Sequence, residues 1–216
     1  MEQFNSFIAL IKPFVELVYL ISSVGIAIFA YLGLQQIQIL KTTASMQAKR
    51  DALKLTSEQC SYYVDVVIPL QNEFYKAIEE NNIKYFEGWT TTIVNNKITT
   101  SHKDPNLKRD FKAAIPTLGF LNSMEAFSTF FTSRVADELV AYNSVGETYI
   151  GTCERIMPWL LHCRNGGFFK NTTSLYLIWK QRSEIEKLMR EKQSIDDKLA
   201  NSTVSTSSPI GTEFRH

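Results

Sequence analysis

Near the start of the chain, eighteen consecutive residues, 17–34 (LVYLISSVGIAIFAYLGL), carry no charge, no proline and no amide side chain. Built as a helix at about 1.5 Å per residue, this run is roughly 27 Å long, close to the hydrocarbon thickness of a bilayer. The segment therefore predicts a membrane span. A core helix of a water-soluble protein keeps a polar side, because only one stripe of it meets the core. Here the polar groups are limited to the hydroxyls of Tyr19, Ser22, Ser23 and Tyr31. The serines can return theirs to backbone carbonyls three or four residues back, and the tyrosines stand towards the two ends, at headgroup level. Pro13 suits the first turn of such a helix, and Glu16 lies beside its start, where Lys12 and the positive end of the helix dipole favour a carboxylate. The competing reading is a buried hydrophobic hairpin with residues 4–11 as the mate. A cleaved signal peptide fits less well, since the sixteen preceding residues hold one lysine against two glutamates and no Ala-x-Ala site follows the run.

Flanking charge sets the expected orientation. Lys41, Lys49, Arg50 and Lys54 follow the run, whereas only Lys12 precedes it, so the positive-inside rule places the larger C-terminal part in the cytoplasm. The Asn171-Thr172-Thr173 and Asn201-Ser202-Thr203 matches to the glycosylation pattern are then unreachable by the enzyme. The resulting plan is an all-α chain of the inner (cytoplasmic) membrane: an extracytoplasmic N-terminus over 1–13, a transmembrane helix over 14–36 and a juxtamembrane stalk over 37–56. A helical cytoplasmic bundle over 57–200 and a disordered, Ser/Thr-rich tail over 201–216 complete it. A break at Thr42-Thr43 with a fresh helix from Ser45 is the alternative for the stalk.

Apolar periodicity assigns the helices beyond. Tyr62, Val66, Leu70, Phe74 and Ile78 recur at four-residue spacing, with Pro69 expected to kink or restart the helix. A short helix is expected over 83–95 and a loop over 97–106, with a weak strand candidate over 90–98. The next helix, over 107–131, is interrupted near Pro116 and continues as an apolar stripe of Leu118, Leu121, Met124 and Phe127. A helical turn over 136–142 leads to a helix over 144–163 with Tyr149, Cys153, Ile156, Trp159 and Leu160 inward and a kink at Pro158. Asn165-Gly166-Gly167 ends it, and Asn171, Thr172 or Thr173 caps the last helix. In that helix Ile178, Ile185 and Leu199 occupy one heptad position and Leu188 and Ile195 the other, an imperfect coiled-coil seam with Gln181 and Lys192 as polar exceptions.

Chemistry is harder to find. The totals of 23 basic and 22 acidic residues leave no concentrated positive surface, which argues against nucleic acid as the main partner. Three cysteines, Cys60, Cys153 and Cys163, form no disulfide framework, and His162-Cys163 with Cys153 lacks the paired spacing of a zinc site; no metal or cofactor is expected. Gly146 and Gly151, inside a helical pattern, point to close helix contact. Glu125, Arg134, Glu138, Tyr142 and Arg155 are polar residues set among the most apolar helices. They are read as a structural polar network or a partner surface, with Arg134 and Glu138 spaced as an i,i+4 pair. In the span, the small side chains of Ser23, Ala27 and Ala30 share one stripe and would let helices approach closely in lipid.

Several local stretches carry a resemblance: the Leu-Gln-rich exit over 34–39, then Phe120-Leu121-Asn122-Ser123-Met124-Glu125, Asp137-Glu138-Leu139-Val140, and Trp159 after Arg155 and Met157-Pro158. Together they resemble small bacterial membrane-anchored helical proteins of unknown function. The resemblance implies one N-terminal span, a helical cytoplasmic domain and an association with phage defence or stress, with Glu125 and Glu138 at the group's acidic positions. The expected role is a membrane-tethered scaffold or adaptor that self-associates or docks a protein partner at the bilayer. An oligomeric membrane effector that perturbs the bilayer and a membrane-bound hydrolase are the alternatives.

Overall fold

The computed structural model describes residues 2–104, 107 and 117–202 and is mostly helical. The chain divides into two units at Lys54 and Leu55. Helix α1, Glu2–Tyr62, supplies the described part of the first unit and the beginning of the second. It starts well before Pro13, so that proline is interior to the helix and not in its first turn. The unbroken helix also removes the hairpin alternative, because residues 4–11 extend the same helix and do not fold back on it. No break occurs at Thr42-Thr43; the Thr42 hydroxyl donates to the Gln38 carbonyl and the helix continues. One window of α1 is long and apolar enough to cross a membrane, and none of it is buried. Ser22 and Ser23 return their hydroxyls to Val18 and Leu20 carbonyls at 2.8 Å, as their spacing predicts.

In the second unit, α1 ends in a π turn, Tyr63–Val67, and α2 follows over Ile68–Glu80. The interruption expected at Pro69 takes this form. Ile68 N–H reaches back to the Tyr63 carbonyl, and Pro69, at the start of α2, needs no donor of its own. The wide turn keeps both Tyr63 and Val67 fully buried. Asn81 and Asn82 close α2, the former donating its amide to the Ala77 carbonyl and the latter in the left-handed region at φ +51°.

The expected helix over 83–95 and the loop over 97–104 are corrected in favour of the strand candidate over 90–98, and residues 105–106 lie outside the described residues. A 3-10 turn, Lys84–Phe86, leads instead into an antiparallel hairpin of β1, Trp89–Val94, and β2, Lys97–His102, pairing Trp89 with His102 and Val94 with Lys97. β-branched residues dominate 90–94, which favours a pleated strand. Asn95 and Asn96 both take positive φ, +50° and +60°, the geometry of a two-residue type I′ turn that asparagine tolerates. The fold is thus mostly helical, in keeping with the all-α expectation, with one hairpin among the described residues.

Three helices complete the unit: α3, Thr117–Thr132, α4, Glu138–Asn165, and α5, Lys170–Ala200. The expected helix over 108–116 and the tail from 203 lie outside the described residues. Helix α4 absorbs the turn expected over 136–142, because the Asp137 side chain accepts from Val140 N–H and caps the helix there; it then runs on through Pro158. The inward side chains are those the spacing predicts: Leu121, Met124 and Phe127 from α3 meet Tyr149, Cys153, Ile156 and Leu160 from α4, all fully buried. Trp179 of α5 lies 4.8 Å from the Tyr149 ring and Tyr63 lies 4.9 Å from Phe127, while Phe74 of α2 stacks on Phe120 at 5.4 Å. The Tyr149 hydroxyl is not stranded: it shares a hydrogen bond with Ser128 at 2.7 Å and donates to the Thr172 carbonyl at 3.0 Å. Burial pushes the Tyr149 phenol and the Cys153 thiol well up from their usual range.

Candidate functional site

The polar residues singled out from sequence fall in four places, three of them tied to helix packing. Glu125 projects from α3 to the start of α5. One carboxylate oxygen accepts from Asn171 N–H and its side-chain amide at 3.0 and 2.9 Å, and the other from Thr172 N–H and its hydroxyl, both at 2.8 Å. A carboxylate at a helix N-terminus satisfies backbone donors that have no intrahelical acceptor and sits at the positive end of the dipole. Helix α5 is therefore capped from another helix; its first residue is Lys170 and its N-cap position is Phe169, two residues before Asn171, the earliest of the expected caps. The preceding Phe169 adopts φ +53° to bring the chain round after Gly166 and Gly167, the latter at φ +91°. With four donors on it, Glu125 has no open lone pair aimed at a substrate.

Glu138 and Tyr142, one turn apart on α4, form the second place. Glu138 receives a bidentate grip from Arg182, at 2.8 and 2.7 Å, and the indole N–H of Trp179. Tyr142 donates its hydroxyl to Glu186 at 2.9 Å, and the Arg182 guanidinium lies 5.0 Å from the Tyr142 ring centre. The planar fork of arginine matches a carboxylate edge to edge, which fixes distance and angle as well as adding charge. Desolvation and the hydrogen bond to Glu186 raise the Tyr142 pKa, so the phenol stays a donor. Its ring is also why Gly146 lacks a side chain: a Cβ there would come within 2.6 Å of the Tyr142 ring. The glycine contact is therefore within α4 and not between helices, and Gly151 has nothing within 4 Å of where its Cβ would stand.

Arg155 and Arg134 lie elsewhere. The Arg155 guanidinium is 4.1 Å from the Tyr75 ring centre, beside a pocket of about 140 Å³ edged by Glu79, Phe86 and Glu87. That volume is below what an ordinary small-molecule site needs. Arg134 is exposed in the turn after α3 at φ +62°, outside any helix, so the i,i+4 geometry with Glu138 does not arise and Arg182 takes that carboxylate. Among the described residues, no three His, Cys, Asp or Glu side chains group to hold a metal ion.

The heptad residues end up on the surface. Ile178, Ile185, Leu188 and Ile195 are 42%, 53%, 63% and 56% exposed, and Leu139 of α4 joins them at 52%. Leu139, Ile178, Ile185 and Met189, with Arg182 and Glu186, line an open groove of about 450 Å³. Beyond it, every residue over 187–200 is exposed. An isolated helix of this length is marginal in water, and this one carries an uncovered apolar stripe along its free half. Sequence reasoning missed Arg182, Glu186, Trp179, Leu139 and Met189. Trp179, Arg182 and Glu186 follow at three- and four-residue steps, which puts them on one face of α5, but that face gains meaning only once α4 is seen opposite. In α1, Ser23, Ala27 and Ala30 are exposed.

No known protein family, curated protein or solved structure matches the chain.

Proposed function

We propose that this chain is a membrane-tethered helical scaffold or adaptor. In this reading the helix over 14–36 spans the inner membrane, the short N-terminus lies outside, and the second unit faces the cytoplasm. Its α5 seam docks a protein partner or another copy of the chain, while the tether confines the encounter to the membrane plane and raises effective concentration without any new contact. One observation carries the reading: an apolar helix window long enough for a bilayer, with none of it covered by protein. The Lys/Arg excess after the window supports the orientation. The groove beside Ile178 and Ile185 supports a docking role, since the polar residues nearest it are engaged in holding α4 to α5.

The test is fractionation of cells expressing the full chain. The protein should pellet with membranes and resist extraction by alkaline carbonate, and a cysteine placed at position 7 should be labelled by an impermeant reagent only from outside. Recovery of the folded chain in the supernatant would remove the tether and with it this function.

A further inference from the structure

We infer that the α5 seam is covered by the α5 of a second copy, running antiparallel. This deepens the docking half of the proposed function and is independent of the tether. Charge order along the helix decides between the two ways of pairing it. With Ile178, Ile185, Lys192 and Leu199 at heptad position a and Gln181, Leu188 and Ile195 at d, the flanking e positions are Arg182, Met189 and Asp196, and the g positions are Glu184, Glu191 and Lys198. In a parallel pair each g residue faces the e residue five further on in the other helix. Glu191 then meets Asp196 twice by symmetry, Glu184 meets Met189, and no opposite charges face each other.

Reversing one helix changes every pairing. When Ile185 of one copy is set against Ile195 of the other, g faces g and e faces e. Glu184 meets Lys198 twice, Arg182 meets Asp196 twice, Met189 meets its own symmetry mate, and the one like-charge contact is Glu191 with its own copy on the two-fold axis. The charges at the two ends of α5 are therefore complementary when one copy is inverted and repulsive or silent when it is not. Exposure fits the same register. The free end of α5, where Ile195 is 56% and Leu199 67% exposed, is brought over the groove of Leu139, Ile178 and Ile185 on the other copy. The free half of each helix covers the open groove of the other: Ile195 lies on Ile185, while Leu188 faces the stem of Lys192 and Leu199 faces Gln181, whose amide is turned to Asn96 of its own hairpin. Arg182 is already held by Glu138, so the Glu184–Lys198 pair, with Glu184 only loosely approached by Lys180 at 3.9 Å, is the one that reports the register.

The experiment uses the full chain in detergent, with the wild type and its native cysteines as the blank. Chains carrying Ile185→Cys and Ile195→Cys are differently tagged, mixed and oxidised. The mixture should give a disulfide-linked pair at least ten times more abundant than either chain alone, because position 185 of one copy lies roughly 15 Å from position 185 of the other in this register. Separately, Glu184→Lys and Lys198→Glu should each weaken self-association about 5-fold, as expected for two exposed ion pairs replaced by repulsion, and the double variant should restore it. A monomeric mass, cross-linking of either cysteine chain with itself, or failure of the double variant to recover would each overturn the antiparallel pair. Membrane pelleting of the same preparations keeps a failure of the tether distinct from a failure of the pair.

Discussion

Two apolar segments of this chain meet opposite environments. In α3, Leu121, Met124 and Phe127 are fully buried while Asn122 and Thr129 on the other side are exposed. In α1, Leu17 is 57% and Phe29 76% exposed, and Val18, Leu20 and Ile26 point out as well, so no side of the helix is sheltered. Apolar content alone does not separate the two. What separates them is polar company: α3 carries Glu125 and Ser128, each bound to another helix, whereas the serines of α1 turn back on their own carbonyls. A helix whose polar groups are all satisfied within itself needs no protein neighbour, and that is the condition hydrocarbon imposes.

The sharpest break of this contrast is Trp179→Ala. The ring touches Phe127, Phe131, Tyr142 and Tyr149, so its loss should cost about 3–5 kcal/mol in denaturant unfolding of the second unit while leaving membrane pelleting intact. The converse variant, Ile26→Lys, should disfavour insertion by roughly 3 kcal/mol at the helix centre, read as a shift from pellet to supernatant with an unchanged unfolding midpoint. Glu125→Gln keeps the size of the side chain but not its charge or its second acceptor, and should destabilise the unit by about 2 kcal/mol, with faster amide exchange at Asn171 and Thr172.

A gentler contrast comes from pH. The buried Cys153 and Tyr149 have raised pKa values, so above about pH 9 the unfolded chain releases protons that the native unit keeps. The native state then binds more protons, and the contribution of these two groups to stability, constant below that pH, should fall by up to about 1.4 kcal/mol per pH unit per group, measured by urea unfolding between pH 8 and 11. The smallest effect is expected at the hairpin tip, where Asn96→Gly relieves a left-handed residue but removes the acceptor of the Gln181 amide, so the thermal midpoint should move by the equivalent of no more than about 0.5 kcal/mol.

Helical spacing made much of this legible in advance: the α3 stripe, the inward face of α4 and the turn at Asn165-Gly166-Gly167 are all local patterns. The hairpin is only half legible: Tyr85, Phe86, Trp89 and Ile93 sit at helical intervals, while the β-branched run behind the strand candidate over 90–98 and the Asn95-Asn96 turn carry the competing signal. The start of α5 is illegible for a different reason. Its cap comes from Glu125, 46 residues away from Asn171, and no local rule for a helix start can find a donor-saturating carboxylate at that separation. The same holds for Arg182 on Glu138, 44 residues apart. Residues whose roles are set by their own turn were readable; those whose roles are set by a facing helix were not.

The Glu125 grip on the first turn of α5 has a mechanical side. Together with the Arg182 fork and the Tyr142–Glu186 bond one turn further along, it makes the helix a beam held along its first half with an overhanging end. A load hung on that overhang would lever first against the Arg182 and Glu186 ties to α4, and the Glu125 anchor on α3 would be the last to bear it. The buried half of the rod, with Trp179 and Tyr176 in the core, is what holds the overhang in one direction.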